Sequence, residues 1–157
     1  NIHDNGTISI SASSTWNSSS DCNVNTKNLC DFNDFSQLSM WSPDDKENST
    51  LLFDFKNRSF RITDYTLHTP SDLSGHTPKS WVVECTNDMN NWVTVDTRNN
   101  ESVMNNENVC HTFKCQSHSD NIYRYIRFKS TDKDFSDSYY FDISAVEFFG
   151  DLKESNS

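Results

Sequence analysis

The sequence predicts an all-β protein, a jelly-roll β-sandwich of about eight short strands. Three observations carry this. Short runs of Val, Ile, Phe, Tyr and Thr recur between clusters of Asn, Asp and Ser. No stretch shows a convincing helical period. Aromatic residues make up 13% of the chain although its hydrophobic content is only 33%, so Phe, Tyr and Trp must supply much of the core. A chain of 157 residues is expected to fold as one domain over 1–157, with a core from about residue 7 to 152 and a polar tail at 153–157.

Taken in order, residues 7–13 alternate and read as a first strand. Residues 14–35 form a long polar loop, a length that is often functional in a compact domain. Trp41 follows as a core plug, and residues 42–48 make a charged turn. Residues 51–55 form a strand with Leu51, Phe53 and Phe55 on one face. The strand at 60–68 has Phe60 and Ile62 on one parity but Tyr65 and Leu67 on the other. All four can face inward only if a bulge near Thr63–Asp64 shifts the register. Residues 69–79 are a second long loop, containing His76.

A hairpin over 78–96 is the strongest local signal. Trp81, Val83 and Cys85 alternate on its first strand, and Val93 and Val95 mark the second. Asn87, Asp88, Asn90 and Asn91 supply turn chemistry between them. Trp92 is assigned to the second strand and its core face. Residues 97–109 are a third loop and 111–115 a short strand. In 122–129, Ile122, Ile126 and Phe128 are expected inward and Arg124 outward. After a loop at 130–139, residues 140–149 close the sheet and Gly150 ends it.

Composition excludes several functions. The three glycines, Gly6, Gly75 and Gly150, cannot build a Gly-rich phosphate loop. A formal net charge of −10 with scattered Lys and Arg disfavours nucleic acid and anionic membranes as partners. No apolar run approaches the roughly 18 residues of a membrane-spanning helix, and no secretory leader pattern is found. The cysteines are odd in number (Cys22, Cys30, Cys85, Cys110 and Cys115), which favours reduced thiols and a cytoplasmic setting. Sequons at Asn5, Asn17, Asn48, Asn57 and Asn100 point the other way. Their number is about what this Asn, Ser and Thr content yields by chance.

The motifs also carry a resemblance. The stretch SWVVECTND followed by Trp92, the strand pair LLFDFKNRSFRITDYTLHT, the late YRYIRFKST, the closing ISAVEFFG and the early ISASS and Trp41-Ser42 occur in one order. Together they resemble the discoidin, or coagulation factor V/VIII type C, superfamily, whose fold is galactose-binding-domain-like. The wording is most similar to the intracellular variant found in protist and BTB/POZ-type proteins. Two departures stand out. Cys85 and Met89 occupy positions where relatives commonly carry glycine, and no cysteine lies near either terminus to staple the ends. The apolar-plus-basic spikes of membrane-binding members are not found.

No nucleophile elbow appears, so no enzyme is expected. A zinc site on Cys110, Cys115 and His118, with Cys22 or Cys30, is disfavoured because Cys110 and Cys115 should project to opposite faces of a strand. The resemblance implies a non-catalytic recognition module. It is expected to serve as a protein-interaction domain of a larger intracellular regulatory protein. The alternative is a lectin-like carbohydrate-binding domain, extracellular or at a cell surface. The partner is accordingly a protein or a glycan, and the isolated domain is expected to be monomeric. No cofactor is required. A structural Ca²⁺ held by Asp34, Ser39 and Glu147 is the one ion the resemblance offers, and hard oxygen ligands suit it. The ligand face is expected in the loops at one end, on His68, His76, Arg124, Phe135 and Tyr139. An aromatic platform beside polar donors is what a sugar needs.

Overall fold

The computed structural model describes residues 8–15, 23–24, 39–71, 75–117 and 120–154. Among them the strands are β1 (Ser9–Ala12), β2 (Asn23–Val24), β3 (Ser39–Met40), β4 (Thr50–Asp54), β5 (Arg58–His68), β6 (Trp81–Thr86), β7 (Val93–Arg98), β8 (Cys110–Lys114), β9 (Tyr125–Ser130) and β10 (Ala145–Glu154). Eight of these build a sandwich. A five-stranded sheet runs β1-β4-β9-β6-β7, and a three-stranded sheet runs β10-β5-β8. Pairing within both is antiparallel. Strands β2 and β3 form a separate two-residue parallel pair. The only helical element among the described residues is a 3₁₀ turn at Ser102–Met104. None of these residues forms a helix long and apolar enough to cross a membrane.

Aromatic rings close the space between the sheets. Phe128 on β9 meets Tyr65 on β5 edge-on at 5.3 Å, and Phe53 on β4 meets Phe148 on β10 at 4.9 Å. Trp81 on β6 meets Phe113 on β8 at 5.2 Å. A buried ring removes about 150–250 Å² from water, so a few rings per strand suffice where aliphatic residues are scarce.

The interior also holds one polar network. Trp81 Nε1 donates to the Tyr65 hydroxyl at 2.9 Å, and that hydroxyl donates to the Asp96 carboxylate. Arg98 Nε reaches the same carboxylate oxygen at 2.9 Å, while its guanidinium lies over Phe113 and bonds the Lys114 carbonyl. Burial, with Asp96 beside it, pushes the Tyr65 phenol far above its ordinary value. Asp96 is 1% exposed, so its partners are what make that position tolerable.

Two bulges set the strand phases. The ladder between β5 and β10 steps from Phe149 opposite Asp64 to Gly150 opposite Ile62, leaving Thr63 unpaired. The expected shift is therefore present, and Phe60, Ile62, Tyr65 and Leu67 are all buried. Gly150 does not end the chain's last strand, which continues to Glu154. It serves the bulge instead. With φ at +148°, a Cβ there would lie 1.9 Å from the Arg61 carbonyl oxygen.

The second bulge corrects the hairpin. Val83 pairs Asp96 and Glu84 pairs Thr94, so Val95 is the extra residue on β7. Val95 is buried, but Val93 is 41% exposed. Trp92 lies in the turn before β7, outside the core face, with the Arg127 guanidinium 3.7 Å from its ring centroid. Similarly, Tyr123 rather than Ile122 is buried beside Phe60.

The hairpin turn itself is organised by Asp88. Its carboxylate accepts the backbone N–H groups of Asn90 and Asn91, which holds its pKa far below the usual carboxylate range. Met89 sits in this turn at φ +63° and is 44% exposed. An L side chain costs about 1–2 kcal/mol in that region, and little burial offsets it. Met89→Gly is therefore expected to stabilise the domain by about 1 kcal/mol in urea unfolding. A clear loss of stability would mean that the Met89 side chain holds the turn.

Candidate ligand-binding face

Strand direction decides which loops share an end. Trp81 pairs Ser130 and Thr50 pairs Lys129, so β4 and β6 begin where β9 finishes. Ala145 pairs His68 at the same end of the other sheet. The segments 42–48, 75–80 and 131–144 therefore meet there. They are sewn together by Thr131 N to Ser80 O at 3.1 Å and Asp142 N to His76 O at 2.9 Å.

Asp134 organises this end. Its side chain is fully buried. Oδ1 accepts the backbone N–H groups of Ser136 at 2.8 Å and Ser138 at 3.0 Å, and Oδ2 accepts that of Tyr140 at 3.3 Å. The loop from 134 to 140 is thus wound around one carboxylate, by the side-chain-to-backbone bonding that Asp favours. Oδ2 also receives His76 Nδ1 at 2.9 Å. A carboxylate only accepts, so Nδ1 carries the proton, and Nε2 is left as the other hydrogen-bonding atom of the ring. The ring packs edge-on against Tyr140, 4.6 Å between centroids, and the side chain keeps 29% of its surface exposed.

The chain before His76 fits closely. Gly75 has φ +79°, and a Cβ there would lie 2.0 Å from Ser136 Oγ. Only glycine lets the 75–76 turn lie against the Asp134 loop.

The same loop carries two further aromatic rings. Phe135 is partly buried, with Lys79 Nζ 5.7 Å from its centroid. Tyr139 is anchored by its N–H to Asp45 Oδ1 at 2.7 Å and by its hydroxyl to Glu47 Oε1 at 2.9 Å. The bond to Glu47 raises the Tyr139 phenol above its ordinary value. Burial raises the Tyr140 phenol, and four carboxylates around it add to this. A cleft of about 220 Å³ opens beside Tyr139, lined also by Glu47, Asn48, Thr131 and Asp132. That is below the roughly 300–1,000 Å³ of pockets for drug-sized ligands.

Of the residues expected at the ligand face, His76, Phe135 and Tyr139 come together in these loops. His68 lies at the same end, but within the β5 ladder between Ala145 and Cys110. It is half-buried, and that burial pulls the pKa of its imidazole below the ordinary value. Arg124 is a correction. It lies at the opposite end, where Asp54 closes β4 and Tyr125 opens β9. Its guanidinium grips Asp54 at 2.8 and 3.1 Å, and its N–H is held by Asn87 Oδ1. It braces the β4–β9 junction and is not a loop-face residue.

Asp134, Tyr140, Glu47 and Asp132 were not anticipated from the sequence. The pattern Asp134, Ser136, Ser138 carried a usable signal, since it is turn chemistry around a carboxylate.

For calcium, Asp34 lies outside the described residues, Ser39 opens β3, and Glu147 is exposed on β10 opposite Thr66. Among the described residues, no group of three or more His, Cys, Asp or Glu gathers to hold a metal. Cys110 is exposed and Cys115 buried, as strand geometry requires, and His118, Cys22 and Cys30 lie outside the described residues. The thiols of Cys85, Cys110 and Cys115 are free. Burial pushes those of Cys85 and Cys115 up to about 12, which makes both poor nucleophiles.

Asp134→Ala should strip four donors of their acceptor and unlatch His76. An unfolding loss of about 3 kcal/mol is expected, with the loop at 134–140 losing hydrogen-exchange protection. A loss below about 1 kcal/mol would show that the loop does not depend on this carboxylate.

The comparisons with known proteins bear on this geometry. The sequence profile described as F5/8 type C domain matches residues 9–142. No curated protein sequence matches the chain. Among solved structures, CpGH89CBM32-5 from Clostridium perfringens, in complex with GalNAc-β-1,3-galactose, superposes with a TM-score of 0.72 at 11% identity. That match covers 92% of this chain and 96% of the other. The C-terminal domain of a chitobiase from Bacteroides fragilis gives 0.71 at 17% identity, covering 95% and 97%. An f-lectin (fucolectin) from Morone saxatilis, striped bass, serum gives 0.70 at 12%, covering 92% of this chain and 47% of that one. These likenesses establish the fold, and the profile match over most of the sequence establishes the lineage: the chain belongs to the F5/8 type C, or discoidin, domain family.

Proposed function

We propose that this domain is a non-catalytic glycan-binding module, and that it binds through the end built on Asp134. The observation that carries this is the Asp134 loop, which latches His76 against the Tyr140 ring and carries Phe135 and Tyr139 in the same turn. One planar polar group is fixed by a buried carboxylate, and the same loop presents aromatic rings. Sugars present hydroxyls along one edge and C–H groups on their faces, so this pairing suits them. Fixing the imidazole in advance reduces the ordering cost of binding. Structural neighbours solved with a disaccharide and with Lewis B antigen support the same reading.

The protein-interaction role expected from the sequence is the second reading. It is favoured by the free thiols of Cys85, Cys110 and Cys115, which suit a reducing compartment. Against it, the described face is small, polar and acidic rather than a broad apolar patch. A thiol count under denaturing conditions, on protein purified from its native source, separates the settings: five support the cytoplasm, and three support secretion with one disulfide.

A glycan array probed with the purified domain is expected to give saturable hits. His76→Ala and Tyr139→Ala should each weaken them by about tenfold or more, while Arg124→Ala should leave them unchanged. Equal loss from Arg124→Ala, or no loss from His76→Ala, would place the site elsewhere. No hit would move the assignment to the protein-interaction reading.

A structural calcium ion on Asp34, Ser39 and Glu147 forms part of the same proposal, supported by the ligand spacing and by oxygen donors. Saturating Ca²⁺, at about a hundred times its Kd, should add about 2.7 kcal/mol of stability. EDTA and Glu147→Gln should each remove the gain. Melting curves that coincide in calcium and EDTA would remove the ion from the account.

A further inference from the structure

We infer that the glycan this end accepts is neutral or carries a free amine, and that uronic and sialic acids are rejected. The inference rests on the glycan-binding reading above and narrows it to a ligand class.

Charge on the face is one-sided. The segments 42–48, 75–80 and 131–142 carry seven carboxylates against three lysines. Each lysine is already engaged. Lys46 stands 3.9 Å from Asp44, and Lys133 stands 3.2 Å from Asp137. Lys79 lies over the Phe135 ring. Both charged groups lining the cleft, Glu47 and Asp132, are acidic, and both are exposed. The arginine expected to serve this face, Arg124, is bound to Asp54 at the far end. Arg98, which pairs Trp81 near this end, is held by Asp96 and lies over Phe113. Among the described residues, an incoming carboxylate would therefore meet like charge and no unengaged guanidinium.

The polar groups available to a neutral sugar are of the right kind. Glu47 and Asp132 accept from hydroxyls, and Thr131 and Asn48 both donate and accept. The Tyr139 hydroxyl gives its proton to Glu47, so its oxygen still offers an acceptor lone pair. A protonated amine would add a charge-assisted bond to the same carboxylates. The raised pKa of the Tyr140 phenol, set by burial and then by Asp45, Asp142, Asp44 and Asp134, agrees with a negative potential at this end.

The test uses the purified domain and matched glycan conjugates that differ only in the terminal sugar. The neutral hexose, its uronate and its 2-amino form are compared in the gluco, galacto and manno series. Within whichever series binds, the uronate is expected to bind at least about tenfold more weakly than the neutral sugar. The amino sugar should bind as well or better, its advantage shrinking as salt rises. The double variant Glu47→Gln with Asp132→Asn keeps acceptors in place and should close the gap for the uronate. If that variant misfolds by circular dichroism, the salt dependence of the wild-type ratio decides alone. A uronate that binds as tightly as its neutral partner overturns the inference and leaves the glycan reading standing. Failure of every sugar in every series overturns both.

Discussion

One buried carboxylate holds together the end where the segments 42–48, 75–80 and 131–144 meet. Asp134 sits with no exposed side-chain surface and meets three backbone N–H groups and one imidazole N–H. A buried acceptor without partners would cost more than the loop could recover. With them, the seven-residue segment 134–140 is wound around one carboxylate, and His76 is latched against Tyr140. Local structure, packing and chemistry meet at that residue.

The sandwich below supplies the rigidity this arrangement needs. Trp81 begins β6 beneath the ligand end and is fully buried. Its indole is tied through Tyr65 to Asp96 and Arg98, so one polar chain crosses between the two sheets. Aromatic contacts surround it. Such a network specifies one arrangement of the sheets, because any slip in register would leave Asp96 without partners. The opposite end is braced separately, by Arg124 on Asp54 and by the Asp88 turn. The two ends are thus braced independently of each other.

Much of the fold was legible in the sequence because strand burial has a period of two. The parity conflict between Phe60/Ile62 and Tyr65/Leu67 located the Thr63 bulge. The second bulge was not legible. Val93 and Val95 share a parity, so alternation alone could not show that β7 gains a residue at Val95 and turns Val93 outward. Gly150 was read as a stop because glycine marks both strand ends and bulges, and only the Arg61 carbonyl beside it tells them apart. At the ligand end, His76, Phe135 and Tyr139 were visible as aromatic residues in long loops. Asp134 was not, since its histidine partner is 58 residues away. Arg124 was misplaced because its strand was known but the direction of that strand was not followed. β9 begins at the end where β4 finishes, which puts Arg124 opposite the face.

The central claim is that the Asp134 end, with His76 fixed as the Nδ1–H form, receives a sugar. Nitrogen-15 NMR of the histidine rings during titration with a bound glycan tests it directly. The account predicts that free His76 shows a protonated Nδ1, and that on titration its Nε2 resonance and the amides of 45–48 and 131–140 shift together, while those of 87–92 and Arg124 stay still. A protonated Nε2 in free His76, or shifts confined to the 87–92 end, would contradict it.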